Sequence, residues 1–136
     1  MQKAIIVRND VSDESLMHFY KACEVFVYPS KAEGFGIPPL EAAALRVPVL
    51  CSNTSAMSDF TFFGRFHFNP NDQSEFNLKL NEIITDPPGT EELARVAEII
   101  SGRYSWQRSA ETLYNEVVND YTRKKELSRA VTTNKN

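Results

Sequence analysis

Residues 25–52 read VFVYPSKAEGFGIPPLEAAALRVPVLCS, and the order of patterns in this stretch decides the fold class. VFVYP (25–29) is an apolar run without alternation, the pattern of a strand covered on both faces. Leu40, Ala43 and Ala44 then share one helical face until Pro48 stops the helix, and PVLCS (48–52) is a second buried run. A β-α-β order this compact implies a parallel pair joined by a right-handed crossover. Outward towards the amino terminus, KAIIVR (3–8) is expected to be a further strand. It precedes a helix capped by Ser12, with Asp13 and Glu14 at the positive end of the dipole and Leu16, Phe19, Tyr20 and Cys23 as its buried stripe. Towards the carboxyl terminus, a polar loop leads to a short last strand at 66–69. A helix then starts with a capping-box pattern at Asp72 and Glu75 and carries Phe76, Leu80, Ile83 and Ile84. Asp86-Pro87-Pro88-Gly89 breaks it. Two more helical patterns follow at about 90–102 and 106–123, the second with Trp106, Leu113, Tyr114, Val117 and Tyr121 as apolar positions packing back over the sheet. Residues 1–121 are expected to be one partial α/β domain, and 122–136 a polar, disordered tail.

With 136 residues, 42% of them hydrophobic, the chain is long enough to bury a core of its own. The formal net charge of −3 comes without a basic block, which argues against nucleic acid as a partner. No apolar run is long enough to cross a bilayer and no basic-then-apolar leader stands at the start, so a cytoplasmic location is expected. Cys23 and Cys51 sit among apolar residues without metal-ligand spacing and read as small buried thiols. His18 and His67 read as structural. Asn53-Thr54-Ser55 fits a glycosylation acceptor, a pattern that carries no weight without a secretion signal.

The ligands of an open parallel sheet bind at the carboxyl ends of its strands, where the turn after VFVYP lies. Gly34 and Gly36 lack a Cβ, so the turn can take positive φ and bring backbone N–H groups close to a ligand. Pro38 and Pro39 suit a first helical turn, where their missing N–H groups have no intrahelical partner. Such a helix start favours an anion such as a diphosphate. Glu33 precedes the turn and Glu41 lies about one turn into the helix, with seven residues between them. Carboxylates do not bind phosphate, but they accept strong hydrogen bonds from hydroxyl groups. A phosphate-friendly backbone flanked by hydroxyl-accepting side chains describes a nucleotide sugar. Read one at a time, each feature has a plain structural explanation: a tight turn and two glutamates complementing a helix dipole.

The ordered combination resembles the signature of retaining GT-B glycosyltransferases of family 4, glycosyl transferases group 1, whose E-x7-E motif matches Glu33 to Glu41. VSDESLMHFYKACEVFVYPS resembles the helix and strand before the motif, FHFNPND the strand and turn after it, and YSWQRSAETLYNEV the closing helix. The resemblance implies a Rossmann-like, open, mostly parallel sheet with helices on both faces, as the carboxyl-terminal donor-binding part of a GT-B enzyme. It implies transfer of a hexosyl group from a nucleoside diphosphate sugar to an acceptor hydroxyl with retention, without a required metal or other cofactor. Glu33 would contact the donor sugar near the reacting centre. Gly34, Phe35, Gly36 and Ile37 would hold sugar and diphosphate, and Glu41 would accept from the ribose hydroxyls.

Departures from the family pattern carry their own expectations. Arg46 stands where the family commonly has a glycine, so the motif helix must end without an easy left-handed residue or stretch into Val47-Pro48. Ser58 and Asp59 replace the usual proline and glutamate of the next loop. The acceptor-binding domain and the family's basic clamp on the diphosphate have no counterpart here. The 136 residues are therefore expected to lack transferase activity alone, and an amino-terminal domain or subunit to act in trans, with membrane-peripheral attachment in a full-length protein. In the strand order 3-2-1-4-5-6, KAIIVR would lose its neighbours, so it would pair directly with VFVYP or a second copy would bury the strand edges as a homodimer. The alternatives are a noncatalytic nucleotide-sugar-binding or assembly module, or another GT-B-like enzyme such as a sugar-nucleotide epimerase or a phosphorylase.

Overall fold

A computed structural model describes the backbone of residues 5–133 and the side chains of residues 5–126. The described residues up to Ile100 form one compact unit and those from Ser101 onward a second.

In the first unit, α1 (Asp13–Ala22) begins as its sequence dictates, with Ser12 Oγ accepting from the Ser15 amide at 3.3 Å. Strand β1 (Phe26–Tyr28) follows, then α2 (Ile37–Ala44), β2 (Val49–Ser52), two 3-10 turns at Ser55–Asp59 and Thr61–Phe66, and β3 (His67–Phe68). Helices α3 (Gln73–Thr85) and α4 (Thr90–Arg103) come next, and the second unit is dominated by α5 (Trp106–Thr133). The three strands form a parallel sheet in the order β1-β2-β3, with Val27 opposite Leu50 and Cys51 opposite His67.

Helices cover the sheet on both faces. All residues of β2 are buried. Side chains alternate along a strand, so Leu50 points to one side, where it packs with Phe68, Ile83 and Val27 beneath α3. Val49 points to the other, where it shares a small apolar hollow with Ala43 of α2 and Val96 of α4. This is the Rossmann-like, mostly parallel α/β arrangement expected from the sequence. The covered strand, however, is β2. The β1 residues are only half-buried, because β1 is the edge of the sheet.

Several local expectations are corrected. Ile5 to Arg8 form no strand, and Ile5, Ile6 and Val7 are exposed; Lys3 and Ala4 lie outside the described residues. Direct pairing with VFVYP is therefore not the arrangement: a β-branched run becomes a strand only where a neighbouring ladder accepts its backbone groups. Along α1 only Tyr20 is buried, while Leu16 and Phe19 are exposed. On α2 the inner face is Pro39, Leu40, Ala42 and Ala43, with Ala44 outside. On α3, Ile83 is buried and Ile84 exposed. Asp72 caps α3 through Oδ1, but Glu75 accepts from the Asn69 amide rather than from Asp72, so the capping box reaches back into the preceding turn.

The segment after β2 is not a polar loop. Met57, Phe60, Phe63 and Phe66 recur every third residue and all are buried, which is the period of the 3-10 turns they occupy. Phe60 meets Phe63 edge to face at 6.1 Å and stacks with Phe62 at 5.7 Å.

Arg46 itself takes the left-handed conformation at φ 61°, directly after the α2 cap Leu45. Its amide donates to the Ala43 carbonyl at 2.9 Å, and the Val47 amide donates to Ala42 at 3.1 Å. This pair of bonds closes the helix as a Schellman motif without glycine.

Helix α5 continues past Thr122, where a tail was expected to begin, to Thr133. Its apolar positions Trp106, Leu113, Tyr114, Val117 and Tyr121 are exposed rather than buried. Among the described residues, no helix is long and apolar enough to cross a membrane.

Candidate functional site

The turn between β1 and α2 is built by hydroxyl groups. Ser52, fully buried at the end of β2, donates to the Ser30 carbonyl at 2.6 Å. Thr54 Oγ1 donates to the Lys31 carbonyl at 3.1 Å. Ser55 makes two bonds to the Glu33 backbone: its Oγ donates to the Glu33 carbonyl at 2.9 Å and accepts from the Glu33 amide at 3.3 Å. To reach it, Ser55 adopts φ 54°, a left-handed conformation unusual for a residue with a Cβ. Thr54 and Ser55 of the acceptor-like triplet thus hold the motif turn in place, while the Asn53 amide donates to the Phe68 carbonyl of β3 at 2.9 Å.

The Glu33 side chain is held in turn. Tyr28 Oη donates to Glu33 Oε1 at 2.7 Å and Ser30 Oγ to the same oxygen at 2.8 Å. These bonds, Tyr28 first and Ser30 second, favour the ionised form and lower the Glu33 pKa. Burial, with the bond to Glu33 second, pushes the Tyr28 phenol up to about 12, so it remains a donor. Glu41 stands on α2 one turn beyond Ile37, and its Oε2 accepts from Tyr20 Oη at 3.1 Å. The Tyr20 ring meets Phe26 edge to face at 5.2 Å, and Phe26 stacks with Tyr28 at 6.2 Å. The two carboxylates therefore hang from opposite ends of one series of rings.

Between them, Gly36 is the N-cap of α2 at φ 85°, and no side chain caps the helix. Pro38 and Pro39 supply no N–H, so the backbone donors of this helix start are those of Gly36 and Ile37. A Cβ on Gly36 would lie 3.2 Å from Met57 Sδ and 3.4 Å from Phe60. Phe35 reaches the same support, edge to face on Phe60 at 6.2 Å. Gly34 has open space where a Cβ would stand. All the sequence-derived site residues, Glu33, Gly34, Phe35, Gly36, Ile37 and Glu41, lie on this one turn and helix start.

Sequence reasoning missed the tyrosines, Ser52, Thr54 and Ser55. For Ser52, Thr54 and Ser55 the signal was three hydroxyl residues within S-N-T-S (52–55), at and just after the end of the buried strand β2. Ser58 Oγ donates to the Ser55 carbonyl at 2.7 Å. Both thiols sit beside the phenols that hold the carboxylates: Cys23 Sγ donates to the Tyr20 carbonyl at 3.1 Å, and Cys51 lies opposite Tyr28 in the sheet. Burial lowers the His67 pKa and pushes the Cys51 thiol up to about 12. Cys23 is half-buried, its thiol raised by burial. Among the described residues, no group of three or more His, Cys, Asp or Glu converges to hold a metal.

An open parallel sheet with helices on both faces, whose first crossover presents an uncapped helix start and two hydroxyl-held carboxylates, defines a Rossmann-like α/β protein with these residues at the strand ends. Residues 1–100 match the model of the family described as Glycosyl transferases group 1, and the chain belongs to that family. The chain is similar to the serotype-specific mannosyltransferase WbdA of Escherichia coli, with 32% identity over 106 residues, 78% of this chain and 13% of that protein. It is 33% identical to the O-antigen chain mannosyltransferase B of Escherichia coli over 97 residues, 71% of this chain and 26% of that protein. The capsular polysaccharide biosynthesis glycosyltransferase CapM of Staphylococcus aureus is 30% identical over 118 residues, 82% of this chain and 30% of that protein. The chain thus spans between 13% and 30% of the length of these relatives.

Proposed function

We propose that this chain forms the donor side of a retaining glycosyltransferase, binding a nucleoside diphosphate sugar across the β1–α2 turn. The observation that carries the reading is the pair of hydroxyl-bonded carboxylates, Glu33 and Glu41, on either side of the uncapped α2 start. In this reading the amides of Phe35, Gly36 and Ile37, with Gly34 leaving room, receive the diphosphate and sugar. The aligned peptide dipoles of α2 stabilise the charge that develops as the diphosphate leaves. Glu33, held ionised by Tyr28 and Ser30, faces the sugar and stabilises positive charge at its anomeric carbon. Glu41 accepts from the ribose hydroxyls. The acceptor hydroxyl is met by protein outside these 136 residues, so the chain alone binds the donor without turning it over.

The test is an NMR titration of the chain with UDP, GDP and ADP and their sugars, mannosyl donors first because two of the relatives are named mannosyltransferases. Shifts confined to Gly34 to Glu41 are expected. Silence there with every nucleotide overturns the donor reading in favour of an assembly module. Sugar transfer by the pure chain overturns the division of labour.

A further inference from the structure

The bond between Tyr20 and Glu41 joins residues that lie 21 positions apart, and it brings α1 into a site otherwise built from the motif. Tyr20 is 5% exposed, its ring wedged against Phe26. A buried tyrosine must find a partner for its hydroxyl, and a ring packed this tightly fixes where that hydroxyl points. Burial first, and then the bond to Glu41, push this phenol up to about 12, so it remains a donor throughout the neutral range. Glu41, by contrast, lies on an exposed helix surface, where a glutamate would otherwise move among several rotamers.

We propose that Tyr20 is a positioning residue: by holding Glu41 Oε2 it sets the carboxylate for a ribose diol, so that discrimination between ribose and deoxyribose depends on a residue outside the motif. The proposal rests on the donor reading above and adds to it the determinant of sugar-ring specificity in the nucleoside. Each carboxylate oxygen accepts more than one hydrogen bond. A carboxylate fixed at Oε2 therefore keeps Oε1 and the second site of Oε2 in a constant orientation, matched to two neighbouring hydroxyls. Without the phenol that orientation must be ordered anew at each binding event, at a cost in side-chain entropy. The penalty falls only on ligands that carry the diol.

The test uses the full chain, with UDP, GDP and ADP titrated by NMR and the best binder repeated as its 2′-deoxy and 3′-deoxy forms. Wild type, Tyr20→Phe and Glu41→Gln are compared. Wild type is expected to prefer the ribonucleotide. Tyr20→Phe is expected to shrink that preference by about threefold to tenfold, the worth of one hydrogen bond, while leaving deoxynucleotide affinity in place. Full preference retained in a folded Tyr20→Phe overturns the proposal and leaves the donor reading standing. No binding by any diphosphate, no ribose preference in the wild type, or full preference in Glu41→Gln overturns the donor reading itself and the proposal with it. Should Tyr20→Phe fail to fold, Phe26→Leu loosens the seat of the ring but keeps the hydroxyl. It should reduce the preference in the same direction by a smaller factor, and an unchanged ratio overturns the proposal.

Discussion

The connections that leave β1 and β2 serve the same topological purpose and are built from opposite chemistry. After β1, the turn from Pro29 to Gly36 buries few side chains and is tied down by hydroxyls of Ser52, Thr54 and Ser55 and by the bonds to Glu33. After β2, the crossover is an apolar wedge in which Met57, Phe60, Phe63 and Phe66 are buried. The two meet at Gly36, which faces Met57 and Phe60, and at Ser55, which grips Glu33. A polar turn with no core of its own borrows rigidity from its neighbour. Hydrogen bonds set its shape, and the packed crossover supplies the surface that keeps the shape in place. Under the donor-binding proposal, a turn that presents backbone donors and carboxylates to a ligand cannot also bury them, so its support has to come from the side.

The strongest way to break this relation is in the wedge. Phe60→Ala empties a site that is 2% exposed beneath both Gly36 and Phe35. It should cost about 3–5 kcal/mol in urea unfolding, the range for a buried phenylalanine. A loss below about 1 kcal/mol, far under that range, would show that the wedge does not carry the turn. Ser52→Ala tests the polar tie directly. Removing a fully buried donor from the Ser30 carbonyl should cost about 1–3 kcal/mol, read from the same unfolding curves.

Gly36→Ala probes the junction itself. The residue sits at φ 85°, and a Cβ would press on Met57, a flexible side chain that can shift. The left-handed backbone alone should make the variant less stable by about 1–2 kcal/mol, and amide shifts in a nucleotide titration should weaken with it. Unchanged stability would mean that the turn relaxes to another conformation.

The smallest effect sharpens the polar side. Tyr28 is the leading cause of the lowered Glu33 pKa, so Tyr28→Phe should move the Glu33 carboxyl back up towards its ordinary value of 4.5 in a carbon-detected pH titration. Because the folded pKa of Glu33 lies below the unfolded one, its contribution to stability is present above the unfolded value and lost as the pH falls through the folded value. The variant should therefore lose less stability than wild type on acidification over that window. Identical titration curves would remove Tyr28 from the account.

Much of this was legible in advance. The Ser12 and Asp72 caps and the buried run of β2 are local signals, written in residues within or next to those elements. Helix α2, expected to run until Pro48, instead closes at Leu45 and Arg46 before the proline is reached. The glutamates and glycines were legible for the same reason, since one turn and one helix start hold them all. The tyrosines were not, because Tyr20 acts across 21 residues and a phenol in a helical stripe reads as ordinary core. The threefold spacing of Met57, Phe60, Phe63 and Phe66 was present but fits neither of the periods of 3.6 and 2 by which helices and strands are recognised.

KAIIVR shows the converse limit. Its composition asks for a strand, yet Ile5, Ile6 and Val7 lie exposed and in no ladder. Local sequence signals placed helices α1 to α4, the caps at which α1 and α3 begin, and the gathering of Glu33, the glycines and Glu41 on one turn, because caps, prolines and glycines act within a few residues. Which strand is central, what supports the turn and which phenol meets which carboxylate were settled by tertiary packing. Those outcomes depend on surfaces brought together by folding, and no local pattern encodes a partner that lies elsewhere in the chain.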